Sequence, residues 1–131
     1  MKKFMMLLSV AIFIIAVSAY AAEDKKQELR PVQKIMQARA ASLTAMNKNL
    51  EAKNFKAIIK DADEMAAETG KTAEKLDNPL AKKITMDSAA LAKELSKAAA
   101  KGDAQTVKTK LGEIKAKCGE CHVKIRDKGK I

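Results

Sequence analysis

Apolar residues recur at steps of three and four through four successive stretches of this chain, and strand-like alternation is almost absent. The first stretch carries Leu29, Val32, Met36, Ala40, Leu43, Met46 and Leu50, with Arg39 on the flank of the seam. The second carries Phe55, Ile58, Ile59, Ala62, Met65, Ala66 and Thr69. The third carries Leu80, Ile84, Ser88, Leu91, Leu95 and Ala98. The fourth carries Val107, Leu111, Ile114, Cys118, Cys121, His122 and Ile125. A stripe of this period is one buried face of a helix, and the residues between are mainly Ala, Lys and Glu, which favour helix. Four such stripes predict an all-α fold, an antiparallel four-helix bundle.

The breaks agree with that division. Pro31 suits the first turn of a helix, where a missing N–H costs nothing. Asn54 offers a cap before Phe55, and Asn78-Pro79 pairs a cap with Pro at the first helical position. Gly70 is expected to weaken or end the second helix. Gly102-Asp103 stops the third and starts the fourth. The connection around Lys71 to Asn78 is expected to be the longest of the three.

The amino end reads as an address rather than as part of the fold. Lys2 and Lys3 precede an apolar run from Phe4 to Val17, and Ala19 and Ala21 then form an A-x-A pair. That is the order of a secretory signal, and the run is shorter than the ~20 residues that span a bilayer. Residues 1–21 are therefore expected to be a cleaved signal, cut near Ala21/Ala22, leaving residues 22–131 as one domain in the periplasm with no stable membrane insertion.

Formal charge is +10 for the whole chain and falls by two without Lys2 and Lys3. Such a balance suits an acidic partner, an anionic lipid or nucleic acid. Here the lysines are interleaved with Asp and Glu along the chain, as on a solvated helical surface, and export argues against nucleic acid. Of three Phe and one Tyr, only Phe55 lies beyond Ala22. A core so poor in rings leaves room for another flat apolar body.

Both cysteines and the single histidine fall within Cys118-Gly119-Glu120-Cys121-His122. On a helix these three side chains point to one side, and the stripe of Val107, Leu111 and Ile114 runs into them. A thioredoxin-type dithiol needs a helix amino terminus after a strand. A zinc site needs more ligands than one histidine and two cysteines provide. A disulfide across three residues would strain a helical turn and contribute little. C-x-x-C-H reads instead as c-type haem attachment: the two sulfurs bond to the two vinyl groups and the histidine is carried to the iron. A local disulfide in a haem-free helical protein, or another metal site, stays open beside it.

An exported four-helix chain with C-x-x-C-H in its last helix resembles the class II cytochromes c, the cytochrome c′ family. Its fourth helix typically reads C-x-x-C-H-x-x-aromatic-Arg or Lys. Here the run continues Val123, Lys124, Ile125, Arg126, so Arg126 matches and Ile125 replaces the aromatic. The resemblance implies one covalent haem c per chain, with thioethers at Cys118 and Cys121 and His122 as proximal iron ligand. It also implies a contact from Arg126 to a haem propionate, and pairing of two chains through their first two helices.

Members of that family either leave the sixth iron position open or fill it with a methionine of the first helix. The corresponding stretch here is Gln33-Lys34-Ile35-Met36-Gln37, which makes Met36 the sixth ligand. Met46 lies ten residues on, ~15 Å along a helix axis, and with Met65 and Met86 is assigned to core filling. The resulting expectation is a non-enzymatic electron carrier of the periplasm with acidic redox partners. The alternative is a five-coordinate haem protein that binds nitric oxide or carbon monoxide.

Overall fold

The computed structural model describes residues 30–128. The expected signal segment, its expected cleavage site and Leu29 lie outside that range. Four helices pack against one another: α1 (Pro31–Glu51), α2 (Phe55–Glu74), α3 (Pro79–Ala100) and α4 (Ala104–Cys121), with no strand among the described residues. This is the all-α four-helix bundle that the periodicity predicts.

Each boundary has a local cause. The Asn54 side chain accepts from the N–H of Ala57 at 3.2 Å and starts α2. Asn78 accepts from the N–H groups of Leu80 and Ala81, both at 3.0 Å, with Pro79 at the first turn of α3. Asp103 accepts from the N–H of Thr106 at 3.0 Å and from its hydroxyl at 2.6 Å. Each cap satisfies donors that the first turn leaves bare, and losing one typically costs about 1 kcal/mol.

One expected break is absent. Gly70 sits inside α2, which continues to Glu74. A single glycine costs a helix only about 1 kcal/mol, and burial of Thr69 and Ala73 on either side of it holds the last turn in place. The connection from α2 to α3 is consequently short, residues 75–78, though still the longest of the three.

Met46, Ile58, Leu95, Val107 and Ile114 are the large, fully buried side chains of the core. Each large aliphatic side chain so buried contributes roughly 1.5–3 kcal/mol. Phe55 lies half-buried against this cluster. The α2 and α4 stripes are buried as expected. On α3 the expected Ile84, Leu95 and Ala98 are buried, but the covered face is broader than the stripe and shifted toward alanines. Leu80 is 42% exposed and Leu91 only half-buried, whereas Ala81, Ala89, Ala92 and Ala99 are buried. With Ala62, Ala66 and Ala73 buried on α2, the packed surfaces of these neighbouring helices are largely alanine. Small side chains allow close approach of two backbones, and that gain outweighs the longer leucines.

On α1 only the second half of the stripe is covered. Met46 is buried and Leu43 and Leu50 are half-buried, but Val32 is 63% exposed, and Ile35, Met36 and Ala40 are exposed too. This uncovered half matters for the site.

Candidate functional site

The inward stripe of α4 runs Val107, Leu111, Ile114 and then Cys118, which packs half-buried against the core cluster. Cys121 and His122 follow on the same side, also half-buried. Both cysteines are free thiols in an unbroken helical turn. Burial pushes the Cys118 thiol up, the Arg39 guanidinium pulls it back, and Cys121 adds to the rise.

The α-helical ladder stops at this point. The N–H of His122 still donates to the carbonyls of Cys118 and Gly119. Its carbonyl instead accepts from the N–H of Asp127, five residues on, at 3.0 Å. Residues His122–Arg126 therefore form a π turn, a widened geometry that recurs at functional sites. The sequence carries no signal for it.

The outer face of the same turn is held by ion pairs. Glu120 meets Lys124 at 2.8 Å and Lys117 at 3.0 Å, and Lys117 reaches Asp87 of α3 at 3.4 Å. Lys124 and Lys117 together hold the Glu120 carboxyl down to about 2. A second group joins Lys110 to Glu94 at 2.7 Å and to Glu113 at 2.9 Å. Isolated exposed pairs contribute roughly 0–1 kcal/mol each. Between the two groups lies a groove of about 450 Å³ floored by Ala90, Leu91 and Ala116. The cysteines do not line it.

Across the bundle, α1 presents Met36 and Arg39, one turn apart. Met36 is 37% exposed, on the uncovered half of its helix rather than inside the core. Met46 and Met65 are core residues, whereas Met86 is 48% exposed and fills no core. Arg39, placed on the flank by the apolar pattern, is half-buried, and its Nη2 is covered. Burial lowers its pKa, and Cys118, Cys121 and Glu68, when ionised, act in the opposite direction. This coupling brings the first half of α1 to the carboxyl end of α4, as antiparallel packing of these two helices requires.

Arg126 is exposed, and its guanidinium is paired with Asp127 through Nε at 2.8 Å and Nη2 at 3.4 Å. Among the described residues, no three His, Cys, Asp or Glu side chains converge to hold a metal ion, and no helix is long and apolar enough to cross a membrane. Cys118, Cys121, His122 and Arg39 thus form the cluster that the fold assembles. Arg39 is the member that periodicity missed. Its signal was an arginine one turn from Met36, flanked by Ala38, Ala40 and Ala41.

No family model, curated protein or solved structure matches this chain. The site must be interpreted from its own chemistry.

Proposed function

We propose that this protein is an exported monohaem c-type cytochrome, similar to the class II cytochromes c, that carries electrons in the periplasm and turns over no substrate. What supports the reading most is that Cys118, Cys121 and His122 continue the buried stripe of α4 as free, half-buried groups. The residues present fit a porphyrin in three further respects. Among the described residues Phe55, half-buried, is the single Phe, Tyr or Trp. The first half of α1 leaves Val32, Ile35 and Met36 uncovered. A buried Arg39 nitrogen beside the cysteines has no partner in the polypeptide.

In this reading Cys118 and Cys121 would hold the group as thioethers, and His122 and Met36 would be the iron ligands. When bound, haem supplies a one-electron couple, and thioether with imidazole ligation raises its potential. The chain's own contribution would be to seat His122 at the end of the packed stripe of α4 and to present a basic surface to acidic redox partners.

The exposure of Met36 also favours a second reading. A thioether not pinned by packing leaves the sixth position open, and the protein would then bind nitric oxide or carbon monoxide. A haem-free protein with a local Cys118–Cys121 disulfide is the third.

Material matured in an exporting host with haem-attachment machinery tests the main reading. A Soret band with the mass gain of one porphyrin is expected. Colourless protein of unchanged mass would overturn it.

A further inference from the structure

Arg39 carries an anomaly that the three sulfur and imidazole groups do not explain. Its Nη2 is buried and makes no hydrogen bond, and it is the one buried side-chain nitrogen or oxygen among the described residues in that state. The charged or ionisable groups that act on the guanidinium come from two other helices: Cys118 and Cys121 of α4, and Glu68 of α2. None of them accepts from Nη2.

An unmade bond at a buried donor costs about 1–3 kcal/mol, and more where the group is charged. The side chain had an escape. Long basic side chains usually lay their methylenes on apolar surface and turn the head to water. Arg39 instead keeps its Nη2 covered. A buried donor without a partner needs an explanation beyond packing, and an acceptor that the polypeptide does not contain is one. The acceptor must be anionic or strongly polar, because a guanidinium is always charged and offers a planar fork of N–H groups that matches a carboxylate.

We propose that Arg39 receives a carboxylate of the molecule that the cysteines anchor. The proposal rests on the haem reading, since a porphyrin of this type carries two propionates. These lie on the edge away from the vinyl groups, so the arginine would turn outward from the sulfurs to meet them. A charge-assisted bond of this kind is about twice as strong as a neutral one. Arg126, assigned to a propionate by resemblance, is exposed and already paired with Asp127, which leaves Arg39 as the donor in need.

The experiment uses the Cys118→Ala/Cys121→Ala chain, which keeps His122 and forms no thioether. It is titrated with iron protoporphyrin IX and with the dimethyl ester, whose carboxylates are masked. With Arg39 present the free acid should bind about ten-fold tighter than the ester or more. Arg39→Gln should abolish that preference by weakening the acid alone, and Arg39→Lys should restore part of it. A preference that survives in Arg39→Gln overturns the assignment.

Should neither porphyrin bind without the thioethers, the thermal midpoints decide. Arg39→Met must raise the midpoint of the unloaded chain, which loses an orphaned donor, and lower that of the matured protein, which loses a bond. Shifts of the same sign in both overturn the role of Arg39 and leave the haem reading standing. A matured chain without a Soret band removes the haem reading and this proposal together.

Discussion

Lys53 and Gly102 occupy the same step of two matching turns, both with left-handed backbone, φ 55° and 68°. The N–H of Lys53 donates to Leu50 at 3.0 Å and that of Asn54 to Asn49 at 2.8 Å. In the other turn Gly102 donates to Ala99 at 2.9 Å and Asp103 to Ala98 at 3.0 Å. Both turns close a helix with the same pair of bonds. Only one uses the residue that adopts this conformation without a steric penalty, which for a side chain with a β-carbon is roughly 1–2 kcal/mol. Lys53→Gly should therefore stabilise the unloaded chain by about 0.5–1 kcal/mol, and Gly102→Ala should destabilise it by about 1 kcal/mol. Denaturant midpoints check both, and a Lys53→Gly midpoint at or below wild type would refute the first.

Gly70 offers the opposite case. It lies within α2, and an added β-carbon there meets nothing within 4 Å. Gly70→Ala should raise stability by about 0.5–1 kcal/mol through the unfolded chain. A lower midpoint would mean that the last turn of α2 is held by something other than helix propensity and the burial of Ala73.

Acid should loosen the bundle in a defined window. Glu120 is held down to about 2 from an ordinary 4.5 by Lys124 and Lys117, and Asp103 is lowered by its bonds to Thr106. Asp87 is lowered by Lys83 and Glu94 by Lys110. Each folded value lies below the unfolded one. The contribution is therefore complete above the unfolded value and is lost as pH falls toward the folded one, below about 4.5 for Glu120. Urea midpoints from neutral pH downward should show the loss. Asp103→Asn keeps the cap, because asparagine caps as well, and should flatten the acid slope with little change at neutral pH. An unaltered slope counts against Asp103 as a contributor.

Met36→Ala separates carriage from gas binding. If Met36 ligates iron, the wild-type ferrous spectrum is low-spin and the variant becomes high-spin and takes up carbon monoxide. If the sixth position is open, both proteins are high-spin and the substitution changes little. A low-spin spectrum that persists in the variant would assign the sixth ligand to another residue.

The basic surface makes a kinetic prediction. Electron transfer with an acidic partner should slow as ionic strength rises past about 0.1 M, where screening shortens to ~10 Å. A rate indifferent to salt would remove charge steering, and a rate that increases would point to a basic partner.

Features that depend on neighbours a few residues away could be read from the order of residues alone. Asn54, Asn78 and Asp103 mark helix starts because a cap is a bond to the next turn, and Gly102 marks an end because one backbone conformation is needed there. The stripes of α2 and α4 were readable because Ile, Leu, Met and Val carry a strong apolar signal at helical period. The placement of the pentapeptide was legible as well: its position in the stripe of α4 sets Cys118, Cys121 and His122 half-buried on the inward side.

Only the tertiary structure decided the rest. Beside Ile84 and Leu95, the buried face of α3 includes alanines, whose signal is weak and whose advantage is the close approach of a second helix, a property of the pair. Gly70 stayed helical because residues on either side of it are buried. The π turn at His122 has no marker in residue type. Arg39 could turn its head to water or into the bundle, since a long flexible side chain takes its direction from whatever stands opposite. Here that is the end of a helix some eighty positions further along the chain.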